Sequence, residues 1–188
     1  MLNKELKNFL FDAAKGYDFC KSKYTGSTIK EMLESHYKNI SYDKYLPEIE
    51  RIKRLCKYKE GKREKIRFGD KEKFLNWYLK KWSENGSTTC AYCGVSEKDC
   101  AEFFTKNGFS RDGKRGLHLE VEQKNAKKGY NEENCELVCY VCNNAKSDFM
   151  ELAEFEPVAR TINTFWQKHL PSRQIPFPEE NWKHWKQK

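Results

Sequence analysis

Apolar residues recur every three or four positions through the first 60 residues of the chain, which is the period of an amphipathic helix. The pattern is interrupted at Gly26-Ser27-Thr28, where Ser27 or Thr28 can cap a helix over 29–37. The helical period returns in 70–82, with Asp70 as the expected N-cap. The sequence thus predicts a helical N-terminal region, whose apolar positions include Leu6, Phe9, Leu10, Ala13, Tyr45, Ile49, Ile52 and Leu55.

The period changes to two in residues 117–123, as in a half-buried strand. A turn through 127–129 separates this strand from a second apolar run at 135–138, and a helical pattern follows over 143–152. Pro157 suits the first turn of another helix that runs to about residue 170. The fold expected is α+β, a mostly helical chain with a small ββα core. The first strand's apolar face holds Leu117, Leu119 and Val121, and its polar face holds His118, Glu120 and Glu122.

Charge is abundant and concentrated. The chain is 38% hydrophobic and 34% charged, with a mean hydropathy of −0.97 and a net charge of +8. Residues 51–67 hold nine Lys/Arg against two Glu. Such a basic stretch indicates a phosphate-tracking surface, although a solvated helix face followed by a lysine-rich loop would have the same composition. The positive balance favours nucleic acid as a partner.

Cysteine spacing indicates a metal site. Of the eight cysteines, Cys90/Cys93 and Cys139/Cys142 form two CxxC pairs. Two such pairs can wrap one tetrahedral zinc ion, and four thiolates leave no open position, so this zinc is expected to be structural. The chain shows no secretory signal and no apolar run long enough to cross a membrane, and we therefore expect a cytoplasmic protein with no membrane partner.

The run Asn134-x4-Cys139-x2-Cys142-Asn143-x2-Lys146 resembles the second half of the HNH (ββα-metal, His-Me finger) endonuclease motif with flanking zinc knuckles. The knuckle CAYCG at 90–94 stands where that family has its first one. The resemblance covers roughly residues 74–170. It implies that Glu122 and Asn143 hold a catalytic Mg²⁺ or Mn²⁺ and that Asn134 orients the general base.

One residue departs from that family. Gln123 stands where the family has its general-base histidine, and glutamine has no useful pKa for taking a proton from water. His118 is an alternative base, although it lies four strand residues before Glu122, about 13 Å away. A divalent ion can also lower the pKa of water itself. Glu122-Gln123-Lys124 matches the E-x-K run of another nuclease class, but three residues are a weak motif.

Two functions from different classes follow. The first is an HNH-type, metal-dependent endonuclease that hydrolyses DNA, of the kind associated with phage defence or mobile elements. The second is a catalytically degenerate HNH-like zinc module that binds nucleic acid or a partner protein, with the N-terminal helices as a surface for a protein partner. The expected regions are a basic helical region at 1–68, the zinc domain at 69–170 and a Trp-containing tail at 171–188, which either packs on the domain or stacks on bases. The residues expected to contact nucleic acid are Arg51, Lys53, Arg54, Lys57, Lys124, Lys127, Lys128 and Lys146.

Overall fold

A computed structural model describes residues 4–60, 68, 71–84, 88–108 and 115–186, without the side chains of 54–60, 71 and 82–84. The chain divides into two compact units, Met1–Gly86 and Ser87–Lys188. The division falls at residue 86 and not at 68, so the helix over 71–84 belongs to the first unit. The tail from residue 171 belongs to the second unit and does not stand apart from it.

The first unit is helical. Its helices are α1 (Lys4–Lys15), α2 (Tyr17–Lys23), α3 (Ile29–His36), α4 (Tyr42–Glu60) and α5 (Lys71–Glu84). The predicted cap at the Gly26-Ser27-Thr28 break is confirmed, because the Thr28 hydroxyl accepts from the backbone of Glu31 and the Glu31 side chain accepts from Thr28. The predicted cap Asp70 lies outside the described residues.

A buried carboxylate joins the first three helices. Asp12 of α1 accepts hydrogen bonds from the hydroxyls of Tyr24 and Tyr37, the latter at 2.6 Å. Lys23 at the end of α2 lies 3.1 Å from the same carboxylate. Burial, followed by the hydrogen bond to Asp12, raises the pKa of Tyr37 and keeps its hydroxyl protonated as a donor. Asp12 therefore fastens α1 to the segments that end α2 and α3.

The second unit contains a short hairpin among helices. Its elements are α6 (Glu97–Asn107), β1 (Glu120–Gln123), β2 (Cys135–Val138), α7 (Tyr140–Lys146), α8 (Leu152–His169) and α9 (Glu179–Lys186). A 3-10 turn, Ala126–Lys128, lies in the hairpin loop. β1 and β2 pair antiparallel, with Glu122 opposite Glu136 and Gln123 opposite Cys135. The described residues are thus mostly helical with a small two-stranded antiparallel sheet, which agrees with the predicted α+β class.

Two helices of this unit differ from their predicted bounds. α7 begins at Tyr140 and ends at Lys146, because Ser147 adopts a left-handed conformation with φ 51°. α8 begins at Leu152, five residues before Pro157, and Glu151 and Glu154 form a capping box at its N-terminus. That box satisfies two of the amides at the start of the helix. The proline therefore lies beyond the first turn and not within it.

The tail packs on the unit. Trp182 of α9 is buried, and its Nε1 donates to the carbonyl of Tyr92 at 3.0 Å. Asn163 of α8 donates to the carbonyls of Cys93 at 2.8 Å and Ile175 at 3.0 Å. α8 and α9 therefore hold the backbone of the first CxxC turn. No helix in the described ranges combines the length and apolar character needed to cross a bilayer.

We expect Asp12→Ala to lower the free energy of unfolding by about 3 kcal/mol, because it leaves two hydroxyls and an ammonium without their common acceptor. Tyr37→Phe removes one of these hydrogen bonds and should cost only about 1 kcal/mol. Asp18→Ala, at an exposed position of α2, should change stability by less than about 0.5 kcal/mol. Urea unfolding measures all three. Equal effects of Asp12→Ala and Asp18→Ala would show that the network contributes nothing.

Candidate metal centre and adjoining polar face

Four cysteine sulfurs meet inside the second unit. Cys90 and Cys93 lie in the turn before α6, and Cys139 and Cys142 lie at the junction of β2 and α7. Their Sγ atoms are all within 4.8 Å of one another, and all four residues are buried. The four cysteines that the sequence paired are brought together and could hold a metal ion such as zinc.

The sulfur spacing fits a tetrahedral ion. The Sγ atoms of Cys93 and Cys139 are 3.7 Å apart. Sulfurs bound at about 2.3 Å around a tetrahedral zinc lie about 3.8 Å from one another. A disulfide would require about 2.05 Å, and all four cysteines are free thiols. Both the donor chemistry and the spacing suit zinc, with no open coordination position.

The backbone shapes the first pair into a tight turn. The amide of Cys90 donates to the carbonyl of Val95 at 2.8 Å, and the amide of Gly94 donates to the carbonyl of Cys90 at 2.9 Å. The amide of Ala91 donates to Leu137 at 2.9 Å, which fixes the turn against β2. Gly94 has φ +81°, and a Cβ there would lie 2.1 Å from the carbonyl oxygen of Pro176. Only glycine suits this position.

Electrostatics in the cluster favour a bound cation. Burial raises the pKa of the Cys93 and Cys142 thiols well above the usual value. Burial also opposes ionisation of Cys139, but hydrogen bonds from the surrounding thiols outweigh it and lower the pKa of Cys139. Four buried thiolates would repel one another strongly, and a divalent cation at their centre offsets that repulsion.

A second, polar constellation lies beside the cluster, between β1 and α7. The Oε1 atom of Glu122, a residue only 7% exposed, is 3.1 Å from Nζ of Lys146, which is 1% exposed. The same ammonium donates to the carbonyls of Gln123 at 2.9 Å and Ser147 at 3.4 Å. Burial raises the pKa of the Glu122 carboxyl, and the Lys146 charge opposes that rise. This is a buried ion pair whose ammonium is held by three oxygens.

Glu120 continues the same face of β1. Its carboxylate accepts from Nδ2 of Asn143, one turn before Lys146 on α7. Arg115 donates to that carboxylate from Nε at 3.2 Å and Nη2 at 3.0 Å, with its guanidinium 4.5 Å from the Tyr140 ring centroid. Because Asn143 and Lys146 are three residues apart, α7 turns both toward the two carboxylates. We call Glu120, Glu122, Asn143 and Lys146 the polar face.

Asn134 and Gln123 are not joined in the way the resemblance implies. The Asn134 amide donates to the carbonyls of Asn125 at 2.8 Å and Gly129 at 2.6 Å, and its oxygen accepts from the amide of Asn125 at 3.0 Å. These bonds order the hairpin loop and use both amide hydrogens. Gln123 pairs with Cys135, and strand alternation turns it to the face opposite Glu122. Asn134 therefore positions the loop in this structure.

His118 lies away from Glu122. Its Nδ1 is 3.6 Å from Oε1 of Glu97 at the start of α6, and its side chain is 48% exposed. The other oxygen of Glu97 accepts from the amide of Leu119 at 2.8 Å. The histidine thus forms part of the contact between α6 and the start of β1. Nothing in the described ranges connects it to the polar face.

Two of the lysines and arginines expected at a nucleic-acid surface are buried. Arg51 is 4% exposed, 3.3 Å from Glu48 and stacked at 5.7 Å on the Tyr78 ring. Lys146 belongs to the polar face. Neither can reach a phosphate without rearrangement, because each already compensates a carboxylate. Lys53 lies 3.1 Å from Glu50. Lys127 and Lys128 are exposed. The side chains of Arg54 and Lys57 lie outside the described residues, as does most of 51–67.

Tyr92 and Glu136 are site residues that the sequence pattern did not reveal. Glu136 lies opposite Glu122 in the hairpin, with one of its oxygens 3.6 Å from Lys124. Burial, followed by the charges of Glu122 and Glu136, raises the pKa of Tyr92 well above its usual value. Tyr92 lies between Cys90 and Cys93 in the sequence, where an aromatic residue is expected to belong to the hydrophobic core. The register of the hairpin places Glu136 opposite Glu122, a pairing that the sequence pattern alone does not give.

Searches of protein-family models, of curated proteins and of solved structures find no match to this chain.

We expect the purified protein to carry about one zinc ion per chain, measured by plasma mass spectrometry. Cys142→Ser removes one ligand and should lose the metal. Cys20→Ser changes a buried thiol of the first unit outside the cluster and should keep it. Zinc retained by Cys142→Ser, or absent from the parent under reducing conditions, would contradict the assignment.

Lys146→Met should lower the free energy of unfolding at pH 7 by about 3–5 kcal/mol, because it leaves a buried carboxylate unpaired. The pKa of Glu122 in the folded protein is raised above its usual value of 4.5. Between these two pKa values the folded protein binds more protons than the unfolded chain, so stability falls as the pH rises from 4.5 through the raised pKa. The variant loses the charge that limits this rise. Its deficit relative to the parent should therefore be smaller at pH 5 than at pH 7 in urea unfolding.

Lys183→Met, at an exposed position of α9, is the matched control and should show no such pH dependence. A Lys146→Met deficit equal at the two pH values would mean that Glu122 does not take up the proton.

Proposed function

We propose that this chain is an HNH-type, metal-dependent endonuclease that hydrolyses DNA phosphodiester bonds, with a structural zinc ion in the four-cysteine cluster. One observation supports it above the others. The Cys139–Cys142 pair opens α7, and α7 turns Asn143 and Lys146 toward Glu120 and Glu122. The cluster thus sets the position of a carboxylate-rich face next to a basic hairpin loop.

The donor set of the polar face suits a hard divalent ion. Glu122 and Asn143 would hold Mg²⁺ or Mn²⁺ through a carboxylate and an amide oxygen, the ligands such ions prefer. The Asn143 nitrogen donates to Glu120, which leaves its carbonyl oxygen for an ion. When bound, the ion would supply stabilisation of the negative charge that develops on the phosphate.

The chain's own residues do the remaining work. Lys146 and Arg115 balance the charges of Glu122 and Glu120, so two carboxylates can lie together in a largely buried place. Exposed Lys127 and Lys128 on the loop can contact the DNA backbone. Gln123 can donate a hydrogen bond but cannot accept a proton, so general-base catalysis by this position is absent.

We expect the parent to nick supercoiled plasmid with Mg²⁺ or Mn²⁺, and Asn143→Ala to reduce the rate at least about 100-fold through loss of an ion ligand. Asn144→Ala is the matched control, since this neighbouring amide bonds to Tyr140 within α7 and is exposed. Its rate should equal the parent's. Equal rates for both variants, or a parent that cleaves nothing, would contradict the nuclease.

A second function has its own supporting observation. Glu122 is already compensated by Lys146, and within the described residues no histidine contacts it. These features favour a catalytically degenerate HNH-like module that binds nucleic acid or a partner protein. If the parent protein binds DNA without cleaving it, the binding module is the function.

Gln123→His tests whether the scaffold lacks only its base. A histidine that reaches the phosphate should raise the cleavage rate by about 10²–10⁴-fold, with a new pH dependence near pH 6.5. Gln123→Asn, which adds no titratable group, is the control. If Gln123→His does not raise the cleavage rate, the side chain at position 123 does not contact the reacting water.

A further inference from the structure

A cavity of about 390 Å³ lies beside the hairpin loop. Trp185 of α9 and Leu152 of α8 give it apolar surface, and Lys124, Asn125 and Lys128 of the loop give it polar surface. This volume lies in the range of pockets that enclose small organic groups. Trp182, in the same helix as Trp185, donates a hydrogen bond to the carbonyl of Tyr92. The side of the cavity formed by Trp185 is therefore held in place by the protein itself and does not need a ligand.

The chemistry of the lining suits a flat heterocycle better than a phosphate. Its two lysines are matched by two carboxylates, Glu133 and Glu151, so a phosphate gains no net attraction there. Amide and ammonium donors beside carboxylate acceptors match the mixed edge of a nucleobase. Nζ of Lys124 lies over the Trp185 ring, 5.3 Å from its centroid, in a cation–π contact. A base that stacks on this face of the indole would take the place of the ammonium, which could then donate to the edge of the base.

The cavity continues the polar face. Lys124 follows Gln123 directly, and its amide donates to the carbonyl of Asn134 at 2.7 Å, which extends the hairpin pairing beyond β1. Its ammonium reaches Glu136, the cross-strand neighbour of Glu122. Lys124 and Glu122 thus share one side of the hairpin, about 7 Å apart along the strand. A strand with a phosphate at Glu122 can place a neighbouring base in the cavity.

We propose that this cavity is a nucleobase subsite, which takes one unpaired base of the DNA strand whose phosphate lies at the polar face. The inference rests on the proposed function and specifies its substrate as a strand with an accessible, unstacked base. Trp185 is the stacking platform and Lys124 a donor to the base edge. Bases stacked on aromatic side chains contribute strongly and with little sequence preference to single-strand binding.

The test compares two fluorescein-labelled 12-nucleotide strands, oligothymidylate and an abasic strand with the same number of phosphates, by anisotropy without added divalent ions. The parent should bind the intact strand about tenfold more tightly than the abasic one. Trp185→Leu should remove this difference by weakening the intact strand alone. Trp185→Phe keeps a ring and should retain part of it.

Lys124→Gln and Lys183→Gln remove one positive charge each and form the second comparison. Lys183 lies on exposed α9 outside the cavity lining, so its loss should weaken both strands equally. Lys124→Gln should weaken the intact strand more than the abasic one. Zinc content and circular dichroism confirm that each variant folds.

Four outcomes overturn the subsite, and plasmid cleavage shows whether the nuclease stands without it. Equal affinity of the parent for both strands, or a base preference that survives Trp185→Leu, means that no base enters the cavity. Binding of neither strand, together with plasmid cleavage in Mg²⁺, also rejects the subsite while the nuclease stands. Neither binding nor cleavage rejects both.

Discussion

The four-sulfur cluster is the constraint on which the second unit depends. It joins residues 90–93 to residues 139–142, and the sulfurs of Cys93 and Cys139 belong to residues 46 positions apart. Between them lies a hairpin of two four-residue strands, too short to be stable alone. A metal ion held by the four sulfurs would close this long loop and fix the start of α7. The bonds from α8 and α9 to the backbone of Cys93 and Tyr92 then hold the whole centre against the helices.

Charge burial at the polar face follows from this arrangement. α7 is only seven residues long, yet it turns Asn143 and Lys146 onto the carboxylates of β1. A carboxylate and an ammonium in such a place cost desolvation, which their attraction and three oxygen contacts must offset. Proteins keep such groups where they serve chemistry or recognition more often than where packing alone is needed. The polar face is therefore stronger support for the proposed function than the surface lysines are.

Local sequence predicted the parts of the fold that depend on local physics. The Thr28 cap, the strand at Cys135–Val138 and the four-cysteine set each rest on spacing within a few residues, and the structure has them. Contacts between residues distant in sequence could not be predicted in this way. The alternation in 117–123 placed Glu122 on the polar side of the strand, but it could not show that Lys146 of α7 pairs with this carboxylate in a buried place. Arg51 was predicted to contact phosphate, but its guanidinium lies over the Tyr78 ring and pairs with Glu48. The helix α6 was not predicted, although local signals mark both of its ends, the Ser96 side-chain cap and Gly108 with φ 64°.

We propose that a second cation site, distinct from the four-cysteine cluster, lies at the polar face. Titration of the zinc-loaded protein with Mn²⁺, followed by electron paramagnetic resonance, tests it directly. We expect about one bound Mn²⁺ per chain, and we expect Asn143→Ala to weaken its affinity at least about tenfold with the zinc content unchanged. Absence of bound Mn²⁺, or equal binding by Asn143→Ala, would contradict it and leave the binding module as the function.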